Sequence, residues 1–225
     1  MHLCKPVTSN QAGPHPELNS LVLKHLSSSY LRPIAQHSLE SFDSFQNFVA
    51  TSPIDLQHNL LLDTGCGVGH SSLNLAIDHP QSLVIGIDKS IVRLTKSPQA
   101  LPPNLLYLRS DLVDFWRLFE QHGYRALSQF AFYPNPWPLS SHVKRRWHGH
   151  PIWPSIIKAG GTIELRTNWD VYALEFAQAL EVSGFKAKLE PWVPTRSISL
   201  FEKKYQASGH DLWRVVAQNP AFLTS

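Results

Sequence analysis

The sequence predicts an α/β fold, doubly wound around a mostly parallel seven-stranded sheet, with helices on both faces and the last strands antiparallel. Three observations predict it. After Pro53, short apolar runs alternate with helical stretches, the pattern of strand–helix–strand units. The first run, Leu60–Leu62, leads into a glycine-rich loop and then a helix, the usual opening of a ligand crevice in such folds. The alternation closes with a hairpin-like pair of strands rather than another helix.

The elements follow in order. Residues 1–15 form a loose N-terminal tail, punctuated by Pro6, Gly13 and Pro14 and lacking periodicity. Residues 16–52 form a helical segment packed on the domain. Leu18, Leu21, Val22 and Leu26 share one face there, and Phe42, Phe45, Phe48 and Val49 another. Residues 53–225 carry the main domain. Its apolar runs are Leu60–Leu62, Leu83–Ile87, Leu105–Leu108, Phe130–Phe132 and Thr162–Leu165. Helical stretches at Ser71–Asp78, Ser90–Lys96, Leu112–Gln121 and a broken one near Val143–Lys158 lie between them. A further helix fits Tyr172–Val182, and two strands follow near Lys186–Leu189 and Asp211–Ala217. Phe115, Trp116 and Phe119 recur at helical spacing and are expected in the core.

Composition excludes several classes. Of 225 residues 43% are apolar, which suits one domain with a sizeable core and not bulk disorder. The formal net charge is only +3, so any nucleic-acid contact must come from a local patch. Cys4 and Cys66 are too few for a disulfide framework, which points to a reducing, cytoplasmic setting. No apolar run approaches a membrane span, and the start has no apolar signal core.

The segment Leu60-Leu-Leu-Asp-Thr-Gly-Cys-Gly-Val-Gly69 is a buried strand running into a loop with alternating glycines. Glycine suits tight turns and close ligand approach, and the following helix N-terminus favours anions. The spacing of Gly65, Gly67 and Gly69 is not that of a dinucleotide fingerprint, and the loop lacks the Lys of a phosphate-binding loop. Asp88 ends the second strand nineteen residues beyond Gly69, placed to accept from both hydroxyls of a ribose. Asp111 follows the third strand, where an adenine amine could be read. Three acids at successive strand ends, Asp63, Asp88 and Asp111, resemble the class I S-adenosylmethionine-dependent methyltransferases. That resemblance implies S-adenosylmethionine as cofactor, bound by Asp63, Gly65, Gly67, Gly69, Asp88 and Asp111. Cys66 is expected to be a small loop residue rather than a nucleophile.

The fourth strand ends in Phe132-Tyr-Pro-Asn-Pro-Trp-Pro138, a proline-stiffened loop whose Trp137 offers a face for a base to stack on. His142, Lys144, Arg145 and Arg146 form the densest basic run in the chain, suited to phosphates. Among twelve His, only His142, His148 and His150 cluster, without a Cys or Glu at ligand spacing, so no metal is expected.

This loop, with Gly160-Gly161, Thr167-Asn-Trp-Asp-Val-Tyr172 and Ser199-Leu-Phe-Glu202, resembles the bacterial tRNA (guanine-N(7)-)-methyltransferases from about Asn59 to Ala217. The resemblance implies methylation of guanine ring nitrogen 7 in tRNA by a monomer or weak homodimer. It implies catalytic roles for Asn135, Asn168 and Glu202, and a cofactor role for Ser199. Substrate contacts fall to Trp137, His142, Lys144, Arg145, Arg146 and Thr167. The chain departs from the family pattern at Asn135 and Asn168, where the family has Asp, at Ser199 for Thr, and at Leu139 for Lys. A carboxylate offers two acceptors to the guanine edge, whereas an Asn amide offers one acceptor and one donor. Asn135-Pro-Trp-Pro138 also resembles the Asn-Pro-Pro-aromatic loop of exocyclic-amine methyltransferases, which implies a different target. A homologue that binds cofactor or tRNA with weakened catalysis is the third alternative.

Overall fold

The computed structural model describes residues 4–55 and 59–219. The outermost residues of the expected tail and main domain, 1–3 and 220–225, lie outside the described residues. The described chain forms seven strands: β1 (Leu60–Thr64), β2 (Leu83–Asp88), β3 (Leu105–Arg109), β4 (Ser128–Phe132), β5 (Thr162–Thr167), β6 (Lys186–Pro191) and β7 (Trp213–Gln218). The helices are α1 (Leu18–Leu26), α2 (Gln36–Thr51), α3 (His70–Asp78), α4 (Ile91–Leu94), α5 (Leu112–Gln121), α6 (Trp153–Lys158), α7 (Asp170–Val182) and α8 (Leu200–Ala207). The strand order β3-β2-β1-β4-β5-β7-β6 is the seven-stranded α/β sheet that the sequence predicts.

The chain divides into two compact units. One comprises residues 32–132 and 158–161. Its strands β1 to β4 pair in parallel, with Leu62 opposite Ile85 and Ile85 opposite Leu106. Every residue of β1 and β2 is buried, as expected of strands covered on both faces. Phe42 and Phe45 of α2 pack edge-on against Phe115 of α5 at 5.8 and 5.6 Å, and Phe115 stacks on Phe119. Trp116 is buried as well, donating to Gln129 at 3.1 Å. The buried Asp114 ties the approach to α2 onto α5, accepting from Arg32 at 2.6 Å, the Ala35 amide at 3.2 Å and Ser38 at 3.0 Å.

The other unit comprises residues 1–31, 133–157 and 162–225, as far as these are described. Here β5, β7 and β6 pair antiparallel, with Leu165 opposite Val215 and Val215 opposite Leu189. The two expected N-terminal helices therefore belong to different units, α1 to this one and α2 to the other. Residues 4–15 lack regular structure but are tethered rather than loose. Ser9 donates to the Pro138 carbonyl at 2.5 Å, and the Ser140 amide donates to Asn10 at 3.0 Å.

The broken stretch after β4 resolves into two 3₁₀ turns, Ser140–Arg145 and Trp147–Gly149, followed by α6. Helix α8 is absent from the sequence expectation. It is short, exposes Leu200 and Phe201 and buries only Glu202, so it has no apolar stripe to read. Its signature was a cap instead: Ser199 accepts from the Glu202 amide at 3.1 Å.

Candidate functional site

In the parallel unit, the glycine loop turns the chain from β1 into α3. Gly65, Gly67 and Gly69 have φ of 89°, 62° and 79°, a region that disfavours side chains. Around Gly65 and Gly67, nothing lies within 4 Å of where a Cβ would stand. These two backbones border open space, the room a ligand needs to approach. Gly69 differs, because a Cβ there would lie 2.5 Å from the Tyr107 ring. Tyr107 also donates to the Gly69 carbonyl at 2.7 Å and so props the loop from β3. Sequence reasoning missed Tyr107, since an aromatic in a strand carries no signal beyond core.

Asp88 is brought to this loop. One of its carboxylate oxygens accepts from the Gly67 amide at 3.1 Å and from Arg93 at 2.9 Å, and the other accepts from the Ser90 amide at 2.8 Å. The carboxylate is buried. Asp111 caps α5 by accepting from the Val113 amide at 2.9 Å, and Arg32 lies 3.6 Å away. Its side chain is about one-third exposed, so it remains reachable.

Asp63 departs from the expected ligand-facing role. It is 1% exposed, and a single oxygen accepts from both Ser71 and Ser72 at 2.6 Å. It is a strut between β1 and the first turn of α3. Burial pushes its pKa up to about 6, against the two serine hydrogen bonds, with nearby Asp88 adding to the rise. Cys66 is buried, and its thiol is pushed up by that burial and by the two acids, which disfavours a thiolate.

In the other unit, the loop after β4 holds two non-glycine residues at positive φ, Tyr133 at 53° and Trp137 at 46°. Such geometry persists only where the surroundings enforce it, and it gathers at functional sites. Trp137 is half-buried. The Arg145 guanidinium lies 4.8 Å over its ring, and His142 meets the ring edge-on at 5.8 Å. Lys144 and Arg145 are exposed.

Arg146 is not exposed with them. Its side chain is wholly buried and pairs with Glu175 at 2.5 Å. It donates to the Trp137 carbonyl from two nitrogens, at 3.2 and 3.0 Å, and to the Leu139 carbonyl at 3.1 Å. The structure thus places Arg146 inside, with its donors taken by the protein, apart from the exposed Lys144 and Arg145 with which it was expected to meet phosphates.

Glu202, expected to act on the base, is also placed inside. This carboxylate is wholly buried and filled by Tyr133 at 2.9 Å, Arg166 at 3.0 Å, Trp192 at 3.0 Å and the Ile198 amide at 2.7 Å. Four donors leave it no edge to offer a base. Burial and the Glu202 charge push the Tyr133 phenol well up, so that hydroxyl stays a donor. Ser199 caps α8, and Thr167 is buried, accepting from the Trp169 amide at 3.2 Å.

The two asparagines have separate partners. Asn135 is exposed and accepts from the Trp137 amide at 3.3 Å, forming a local turn. Asn168 is part-buried and hydrogen-bonds His210 at 3.0 Å. Among the described residues, no group of three or more His, Cys, Asp or Glu could hold a metal ion, and no helix is long and apolar enough to cross a membrane.

Comparison with known proteins adds to this geometry. A family model described as "Putative methyltransferase" matches residues 57–215. A tRNA (guanine-N(7)-)-methyltransferase of Neisseria meningitidis serogroup C is 26% identical over 227 residues, covering 92% of either chain. Another of the same name, from Sodalis glossinidius, is 28% identical over 165 residues, covering 68% of this chain and 69% of its own. Among solved structures, the 16S rRNA methyltransferase KamB superposes with a TM-score of 0.58 at 14% identity. It covers 85% of this chain and 97% of its own. An antibiotic-related methyltransferase gives a TM-score of 0.57 at 18% identity, over 87% and 98%. At these identities the structural likeness speaks for the fold alone.

Proposed function

The chain belongs to the methyltransferase family whose model spans residues 57–215, and we propose that it transfers the methyl group of S-adenosylmethionine to ring nitrogen 7 of a guanine in tRNA. The carrying observation is the Trp137 shelf: an indole held at positive φ, half-exposed and met by the exposed cation Arg145, whose sequence neighbour Lys144 is exposed too. It occurs in a chain whose length is matched by relatives that bear the tRNA (guanine-N(7)-)-methyltransferase name.

The residues fit the cofactor. The open space beside the Gly65 and Gly67 backbones would admit it, and Asp88 and Asp111 would hold its ribose and adenine. Bound there, S-adenosylmethionine supplies an electrophilic methyl on a sulfonium. Guanine nitrogen 7 carries an exposed lone pair, so the attack calls for no general base. What this chain's residues contribute is then mainly placement. Trp137 would stack the base, worth about 1–3 kcal/mol, while Lys144 and Arg145 would hold phosphates. Asn135 is the exposed polar group nearest in sequence to the shelf and is the candidate contact to the base edge. Asn168 is a second candidate through its carbonyl oxygen, because its amide nitrogen already serves His210. Action on tRNA would place the protein in the cytoplasm.

The test is incubation of the purified protein with S-adenosylmethionine and unmodified bulk tRNA, followed by mass spectrometry of the nucleosides. 7-Methylguanosine is expected. A methylated adenosine, or no methylated nucleoside at all, would overturn the assignment.

A further inference from the structure

Glu175 lies in the middle of α7 with its side chain wholly buried, and no step proposed above uses it. Four donors converge on it. One oxygen accepts from Gln11 at 2.5 Å and the His15 amide at 2.9 Å, and the other accepts from Arg146 at 2.5 Å and His148 at 2.8 Å. We propose that Glu175 is the positioning residue of the substrate loop, acting through Arg146 to hold the Trp137 backbone in its base-receiving geometry. The proposal rests on the tRNA-methylating function proposed above.

The guanidinium of Arg146 links Glu175 to the loop. It is planar and rigid, so fixing one edge fixes the other. Glu175 engages Nη1, and Nε and Nη2 are thereby aimed at the carbonyl of Trp137, with Nη2 also reaching Leu139. Trp137 is a bulky residue at φ 46°, a conformation it would leave if unconstrained. The two bonds to its own carbonyl are the constraint. The guanidinium also sits 4.8 Å over the Trp169 ring, which keeps it from swinging away.

The arrangement is not one that folding alone would favour. A buried ion pair is often no better for stability than well-packed apolar residues of the same size. What it adds here is a defined direction. Burial would raise the Glu175 pKa, but His148 and then Arg146, through hydrogen bonds and charge, outweigh it and hold the carboxyl at about 2. Burial pulls the His148 pKa down against the pull of Glu175, and its Nδ1 lacks a hydrogen-bond partner. The same carboxylate gathers Gln11 and His15, so the N-terminal segment and the substrate loop share one anchor.

The test compares wild type with Glu175→Gln by hydrogen exchange, tRNA kinetics and calorimetry with S-adenosylhomocysteine. Expected are faster amide exchange across residues 133–146 and a KM for bulk tRNA raised about 10–100-fold, as for a misplaced contact surface. Affinity for S-adenosylhomocysteine should be unchanged, since the glycine loop belongs to the other unit. A folded variant with wild-type exchange over 133–146 and wild-type KM would overturn the proposal. Should Glu175→Gln fail to fold, Arg146→Lys decides, because it keeps the charge opposite Glu175 but loses the fork to the two carbonyls. It too should loosen residues 133–146, and unchanged exchange would overturn the role. A wild type that methylates no tRNA would instead sink the function proposed above, and loop exchange would still read the positioning claim.

Discussion

Asn168 Nδ2 lies 3.0 Å from His210 Nδ1, and His210 Nε2 lies 2.9 Å from the Cys4 carbonyl. A carbonyl only accepts, so Nε2 carries the ring proton and Nδ1 is the bare acceptor that the Asn168 amide fills. The pattern is complete with one proton on the ring. A carboxylate at position 168, as the resembling family has, would meet the Nδ1 lone pair with none of its own hydrogens to give. The Asn is therefore matched to its neighbour, whatever it does for the base.

Asn168→Asp should accordingly lose about 1–2 kcal/mol of stability at pH 8, the cost of a broken, partly buried hydrogen bond. Urea unfolding measures it, and a variant as stable as wild type would contradict the pairing.

The fold was largely legible because its signals were local. All-apolar runs such as Leu83–Ile87 and the glycine spacing 65, 67, 69 each name an element without knowledge of its neighbours. The site was legible only in part. Lys144, Arg145 and Arg146 are three adjacent cations in sequence, yet the 3₁₀ turns leave the first two exposed and bury the third. Nothing in a run of like residues tells which one turns inward. Nor could Glu175 or Glu202 be assigned to burial from sequence. Each is buried by partners more than a dozen residues away, Gln11 and Arg146 for one and Tyr133 and Arg166 for the other.

Two glycines of one loop should fail in different ways. Gly69→Ala combines a φ of 79° with a Cβ placed 2.5 Å from the Tyr107 ring, so it should cost about 2–5 kcal/mol of stability. Gly67→Ala meets nothing within 4 Å and should cost only the backbone strain, about 1–2 kcal/mol. Its methyl would instead occupy the space proposed for the cofactor. Thermal melts with S-adenosylhomocysteine calorimetry distinguish them: the first variant should be the less stable, the second folded but weakly binding. Equal melting temperatures would refute the role given to Tyr107.

The basic run should separate into two behaviours as well. Replacing Lys144 and Arg145 together by Ala should leave folding intact. It should reduce the slope of log affinity for tRNA against log salt by roughly 1.4–1.8, the release expected from two phosphate contacts. Arg146→Ala should instead destabilise the protein by about 3–5 kcal/mol, because it leaves Glu175 buried without its cation. Filter binding across a salt series and denaturant melts supply the two readouts. An Arg146→Ala protein as stable as wild type, with a reduced salt slope, would return Arg146 to the RNA surface.

Asp63 makes the most direct test of a buried acid as strut against a buried acid as ligand. Its folded pKa, about 6, stands above the ordinary carboxylate value because burial disfavours the charge. The folded protein thus holds a proton that the unfolded chain releases between about pH 4 and 6. Stability linked to Asp63 is fully present below about pH 4 and is lost as pH rises through 6. Asp63→Asn removes that titration, while its amide oxygen can still accept from Ser71 and Ser72. The variant should therefore match or exceed wild-type stability at pH 8, by at most about 3 kcal/mol. That advantage should fade toward pH 4. Calorimetric affinity for S-adenosylhomocysteine should change by less than about 1.4 kcal/mol, or tenfold, if Asp63 only fixes the first turn of α3. A larger loss in a stable variant would show that the Asp63 charge acts on the cofactor, as its place at a strand end first suggested.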